Sequence, residues 1–146
     1  MKKYFLWVFV MTIGLHGVHA QVERVVGYWK TVDDNSGEIK SMVRVYKMSD
    51  GTYQGKIEKL YLHPGAKCDK CEGADKGKPV TGMVIIRDMK ADGDKLSGGY
   101  VLDPESGKKY YGSISIDEKT GKLKLRGSID KFGVLGRTQY WIRATN

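Results

Sequence analysis

Apolar and polar residues alternate with a period of two along most of this chain, and that pattern restricts it to half-buried strands. The clearest run is Lys122-Leu123-Lys124-Leu125-Arg126-Gly127-Ser128-Ile129, where Leu123, Leu125 and Ile129 share one face and Lys122, Lys124, Arg126 and Ser128 the other. Tyr110, Gly112, Ile114 and Ile116 alternate in the same way with Tyr111, Ser113, Ser115 and Asp117. Tyr53, Gly55 and Ile57 alternate with Thr52, Gln54, Lys56 and Glu58. Beyond the first twenty residues no stretch has a convincing helical period.

Turn chemistry separates the runs. Asp33-Asp34-Asn35-Ser36-Gly37, Ser49-Asp50-Gly51, Ala91-Asp92-Gly93-Asp94, Asp103-Pro104-Glu105-Ser106-Gly107 and Asp117-Glu118-Lys119-Thr120-Gly121 each join a local side-chain acceptor to a glycine. Strands are expected at 25–32, 39–48, 52–62, 80–89, 95–102, 108–117, 121–129 and 134–144. Their links are hairpin-length except 63–79. Such a meander is expected to close into an all-β, up-and-down antiparallel barrel, which leaves no exposed edge. A two-sheet sandwich is the competing architecture. Gly98, Gly99, Gly112 and Gly127 fall within strands and suit the bends of a small barrel.

The first twenty residues read differently. Lys2 and Lys3 precede an apolar run from Tyr4 to Leu15, and Val18-His19-Ala20 supplies the small or tolerated residues of a cleavage site. This is the layout of a secretory signal peptide, cut after Ala20, with an apolar core too short for a comfortable membrane span. Residues 21–146 are then a single exported domain, periplasmic or extracellular. No cysteine follows the cut, so a lipid anchor is not expected.

Formal net charge is +8, of which Lys2 and Lys3 belong to the expected signal. The remaining basic residues are dispersed among acidic ones, the pattern of a solvated surface rather than of a nucleic-acid groove. Attraction to anionic envelope surfaces stays open. Catalysis finds little support. His63 is the only histidine after the signal, no Gly-x-Ser-x-Gly elbow occurs, and the carboxylates sit mostly in turns. No glycine loop precedes a helix to cradle phosphate. A non-enzymatic monomer without a cofactor is expected.

The segment 63–79 holds both cysteines, in Cys68-Asp69-Lys70-Cys71. In an oxidising compartment the pair is expected to form a disulfide clipping the loop, worth about 2 kcal/mol for so small a ring. Zinc is the rival. His63 with Asp69 or Asp75 would have to complete the set, since two cysteines provide only half of a tetrahedral site. A thioredoxin-like role lacks its βαβ context. Lys67, Lys70, Lys76 and Lys78 make the loop basic, partly offset by Asp69, Glu72 and Asp75. It is a candidate contact for another envelope protein.

Several motifs occur in order. Gly27-Tyr28-Trp29-Lys30-Thr31 is followed by Cys68-x-x-Cys71, Lys76-Gly77-Lys78-Pro79-Val80-x-Gly82 and Leu102-Asp103-Pro104-x-x-Gly107-Lys108-x-Tyr110. Leu125-Arg126-Gly127 and Gly136-Arg137-Thr138-Gln139-x-Trp141-x-Arg143 complete the set. Together, from Val25 to Arg143, they resemble the exported bacterial family catalogued as domain of unknown function 2147. That resemblance implies a small lipocalin-like barrel in the bacterial envelope and no established reaction. Gly27-x-Trp29 also looks like the lipocalin opening motif, whose tryptophan packs at the closed barrel end against an arginine near the last strand. Trp29, Arg137, Trp141 and Arg143 are therefore expected to form a structural cluster.

Tyrosines recur on the strands, and Tyr53, Tyr100, Tyr110 and Tyr140 are candidate ligand contacts, the alternative being that the rings simply fill the barrel. The expected function is binding of a small apolar or amphipathic molecule inside the barrel, where bulky residues alternate with Gly55, Gly98 and Gly112. The alternative is an envelope interaction module acting through the 63–79 loop over a filled barrel.

Overall fold

The computed structural model describes residues 17–145. The expected signal peptide lies mostly outside the described residues. A short helix, α1 (Gly17–Glu23), spans the expected cleavage point and leads into nine strand segments. They are β1 (Gly27–Val32), β2 (Ile39–Lys47), β3 (Tyr53–Leu60), β4 (Val84–Asp92), β5 (Lys95–Ser97), β6 (Tyr100–Asp103), β7 (Lys108–Ile116), β8 (Leu123–Ser128) and β9 (Gly136–Arg143). Among the described residues no helix is long and apolar enough to cross a membrane.

All ladders are antiparallel, strands consecutive in sequence pair with each other except β5 with β6, and β1 pairs β9 through Trp29–Arg143 and Lys30–Ile142. That last ladder closes the sheet into a barrel. The strand expected at 95–102 is broken into β5 and β6. Both segments pair with β4 on one side and β7 on the other, so nine segments occupy eight positions. Gly98 has φ +79°, and a Cβ on Gly99 would fall 2.1 Å from the Arg87 carbonyl oxygen. Only glycines let the chain step sideways there. The strand expected to start at 80 starts at Val84 instead, because Val80 to Met83 close the long loop. Val80 N bonds to Ala66 O, and Gly82 N to Ile57 O.

The alternation places Tyr53, Ile57, Ile114, Ile116, Leu123 and Leu125 inward, and all are buried. Val43, Val45, Ile86, Met89, Leu96 and Trp141 complete the core. Ile129 is the exception. It lies one residue past the end of β8 and is 67% exposed rather than facing inward with Leu125. The glycines on the inner faces do not leave room. A Cβ on Gly55 would sit 2.7 Å from the Ile86 side chain, and one on Gly112 would sit 2.1 Å from the Met89 terminal methyl. Bulk from neighbouring strands fills what each glycine vacates, as close packing requires.

At one end α1 and the start of β1 plug the barrel. Val22 and Val25 are buried, and the indole nitrogen of fully buried Trp29 donates to the Val25 carbonyl at 2.8 Å. The Arg143 guanidinium stacks 4.1 Å from the Trp29 ring and donates to the Arg24 carbonyl. Burial, then the neighbouring Arg24 charge, lowers the pKa of Arg143. Arg137 does not join this cluster. It shares the parity of Trp141 and Arg143 but lies at the opposite end of β9, exposed, with its Nη1 3.1 Å from the Asp34 carboxylate.

We expect Arg143→Ala to cost about 1 kcal/mol, from the lost stacking on a fully buried indole, and Arg137→Ala under about 0.5 kcal/mol. Urea denaturation of the two variants checks the contrast. A second outcome concerns acid. Local hydrogen bonds hold Asp33, Asp50, Asp117 and Asp130 below the usual carboxylate range, mainly through backbone amides for Asp33 and Asp130 and side-chain hydroxyls for Asp50 and Asp117. A depressed folded pKa contributes stability that is complete above the unfolded value of about 3.9 and disappears as pH falls through the lower folded value. Thermal midpoints should therefore drop below about pH 4. Replacing all four by Asn should flatten that drop.

Candidate functional site

β1–β2, β3–β4, β6–β7 and β8–β9 all turn at the end away from Trp29, and the features able to meet a ligand or partner collect there. Cys68 and Cys71 form a disulfide, with Cα atoms 5.3 Å apart and both residues buried. The loop around them is internally ordered. Cys68 N donates to Lys78 O and Gly77 N to Cys68 O, and Lys67 bridges Pro79. A single 3-10 turn, Gly73–Asp75, completes it.

The clipped loop docks onto β4 and the β6–β7 hairpin. Asp75 accepts two bonds from Arg87 Nη2 on β4, at 3.0 and 3.1 Å. Cys68 Sγ rests 3.2 Å from the Pro104 carbonyl oxygen. Gly107 has φ +71°, and a Cβ there would lie 2.0 Å from the Lys70 carbonyl oxygen. The glycine of Leu-Asp-Pro-x-x-Gly thus serves two demands at once, a left-handed hairpin turn and close approach of the loop backbone. Leu102, under this cover, is buried although it sits opposite Lys109.

A cleft of about 330 Å³ opens between loop, hairpin and barrel end, lined by Glu72, Asp75, Leu102, Lys108, Lys109, Tyr110 and Ile129 among others. A second, shallower depression of about 560 Å³ runs along Lys78, Pro79, Met83, Val84 and Arg87 on the far side of the loop. At the mouth, Gln139 and Arg137 from β9 both reach Asp34 Oδ2, at 3.0 and 3.1 Å, tying the β1–β2 turn to the last strand. Thr31 and Ser41 hydroxyls meet at 2.7 Å across the β1–β2 ladder.

The four candidate tyrosines do not converge. Tyr53 is buried toward the plugged end, where its hydroxyl donates to Glu23 at 2.9 Å. Burial, then that carboxylate, raises its pKa. Tyr100 pairs with exposed Tyr111, and its ring lies beneath Lys109 and Arg87 at 5.1 and 6.0 Å. Tyr140 is 44% exposed on the outer wall. Tyr110 alone borders the cleft, on the inner face it shares with Gly112 and Ile114. Alternation identified strands correctly but not height along the barrel, so residues of one type were grouped that different ends hold apart. Lys108, Lys109 and Ile129 were missed as a group. The Lys108-Lys109 pair beside Tyr110 was the available signal.

Gly107→Ala should loosen the loop at a cost of about 2–3 kcal/mol. Amide exchange at Cys68, Gly77 and Val80 should rise with it, while β1, β2 and β9 stay protected. Reduction should cost about 2 kcal/mol and leave the barrel folded, since the ring is small and the ladders do not depend on it. Intact mass before and after reductant, with circular dichroism, checks both points.

Among solved structures, a protein from Helicobacter pylori described as belonging to the lipocalin family superimposes with a TM-score of 0.72 at 22% identity, covering 83% of each chain. At that identity the likeness establishes the fold. No curated protein matches the chain. Residues 27–143 match the family described as "Uncharacterized protein conserved in bacteria (DUF2147)". With nearly all of the barrel inside that match, the chain is a member of this bacterial family built on a lipocalin-like barrel.

Proposed function

We propose that this is a non-catalytic binding module of the bacterial envelope, and that it takes a small amphipathic molecule with an anionic end at its open rim. The observation that carries this reading is the cleft beside Tyr110. Leu102, Ile129 and the Tyr110 ring offer apolar surface, and Lys108 and Lys109 stand next to them. Its volume of about 330 Å³ falls at the lower end of small-molecule sites. The rigid wall is the clipped loop, held by the disulfide, by Arg87–Asp75 and by the seat at Gly107. The rim is favoured over the deep barrel because Ile86 and Met89 occupy the space beside Gly55 and Gly112.

The non-catalytic reading rests on the sequence: His63 is the only histidine after the expected signal, and no Gly-x-Ser-x-Gly elbow occurs. Export, with cleavage after Ala20, follows from the composition of the N-terminus and suits a disulfide. One observation favours a second, deeper reading. The Trp141 indole nitrogen is buried and meets no acceptor among the described residues. A water or the polar end of a ligand reaching into the barrel would satisfy it.

Anilinonaphthalene sulfonate, an aromatic body with one anionic end, is a suitable probe. Fluorescence titration should show saturable binding that weakens about tenfold in Tyr110→Ala and in Lys109→Ala, the loss of one good contact each. Tyr140→Ala should bind as wild type. Equal affinity in all three variants would remove the cleft from consideration. Native mass spectrometry of protein released gently from its own envelope should then reveal the natural occupant.

A further inference from the structure

Among the described residues, the most exposed apolar side chains lie together on one hairpin. Ile129, Phe132, Val134 and Leu135 are 67%, 83%, 73% and 61% exposed, whereas Tyr28, Met48, Tyr61, Tyr140 and Ile142 are each exposed by under half. All four belong to the seven residues joining β8 to β9. Isolated exposed hydrophobics are ordinary, but four on one projecting turn mark a contact surface.

The turn is built rather than loose. Asp130 Oδ2 accepts from Phe132 N at 3.1 Å and Val134 N at 3.0 Å, and Oδ1 accepts from Leu135 N at 2.6 Å. From the neighbouring strand face, Arg126 donates to the carbonyls of Gly133 at 2.7 Å and Val134 at 3.1 Å. Ile129 N bonds to Leu135 O, Gly133 N to Asp130 O, and Ser128 Oγ donates to Asp130 O. The amides and carbonyls named here already have partners inside the protein. The tip can therefore leave water without orphaning them, and that is the condition an apolar lipid environment imposes.

Its surroundings are basic. Lys131 stands within the turn, its ammonium 5.4 Å from the Phe132 ring. Lys108 and Lys109 share the cleft wall with Ile129. Of the two acidic residues lining the cleft, Asp75 is committed to Arg87, leaving Glu72, while Asp130 is committed to the turn amides and Asp34 to Arg137. The chain as a whole is cationic. Apolar side chains on a preorganised tip beside Lys108, Lys109 and Lys131 complement an anionic lipid surface, where the Phe132 ring and the aliphatic groups reach the acyl boundary and the ammonium groups meet phosphates.

We propose that the β8–β9 hairpin is a membrane-surface anchor, inserting Phe132, Val134 and Leu135 at the interface of an anionic bilayer with Lys131 on its phosphates. The protein would then rest on the leaflet by its open end, with the rim cleft facing lipid. The anchor does not rest on the cleft having a ligand, and its test leaves Tyr110 and Lys109 untouched.

The test is co-sedimentation of the protein with vesicles of phosphatidylcholine alone and of phosphatidylcholine mixed with phosphatidylglycerol. Binding should be stronger to the mixed vesicles and should weaken with added salt. The double variant Phe132→Ser with Leu135→Ser should lose at least about tenfold in partitioning. Lys131→Glu should lose binding to the mixed vesicles selectively. Tyr111→Ser, an exposed ring elsewhere, should behave as wild type. Circular dichroism and a thermal scan check that each variant is folded. Absence of binding to either vesicle overturns the proposal, as does undiminished binding by the folded double variant. Sedimentation showing a dimer that the double variant dissolves, without vesicle binding, would reassign the tip to contact between copies and equally overturn it.

Discussion

The stacking of Arg143 on Trp29 is the contact on which this barrel turns. It joins the first strand to the last, and a sheet of short strands becomes a barrel only when those two meet. The same pair holds the chain between α1 and β1, because the indole donates to the carbonyl of Val25 and the guanidinium to that of Arg24. One aromatic ring and one cation therefore close the sheet, plug its end and fix the entry of the chain. The arginine loses solvation there, and the ring face and carbonyl replace part of it.

With that end sealed, the remaining freedom passes to the other. The strands are packed across the interior by Ile86 and Met89, which lean into the spaces over Gly55 and Gly112. Outside that packed interior stand the turns of the far end. Two of these turns carry order of their own, the long loop through its disulfide and Arg87, and the β8–β9 hairpin through Asp130 and Arg126. Rigid turns on a rigid barrel can hold a surface in fixed shape, as recognition at low entropic cost requires. The cleft and the apolar tip share Ile129 and lie side by side, so an amphipathic molecule leaving a lipid surface would meet both.

Much of this fold was legible beforehand. Leu123 and Leu125 against Lys124 and Arg126 declare a strand and its buried face, and Asp-rich, Gly-containing turns declare the breaks. Trp29 was legible as a closing residue only through its motif. Gly98-Gly99 signalled a bend but not a full interruption, since the sideways step depends on how near the Arg87 carbonyl lies. Ile129 was misplaced because alternation does not say where a strand ends. Arg137 was misplaced because six residues along a strand separate two ends of a small barrel, a distance that parity ignores.

What the sequence by itself determined is local: period two, turn positions, a cysteine pair three residues apart, and a closing tryptophan. These follow from backbone sterics and from the side-chain chemistry of neighbours along the chain. The tertiary structure alone decided which glycines are filled by another strand's side chain, which tyrosine meets the rim, and that Gly107 is the seat of a loop more than thirty residues earlier. It alone turned Phe132, Val134 and Leu135 outward, through a carboxylate and a guanidinium that spend their charges on the backbone of the turn. Those outcomes depend on distances between segments remote in sequence, and only closure of the barrel sets such distances.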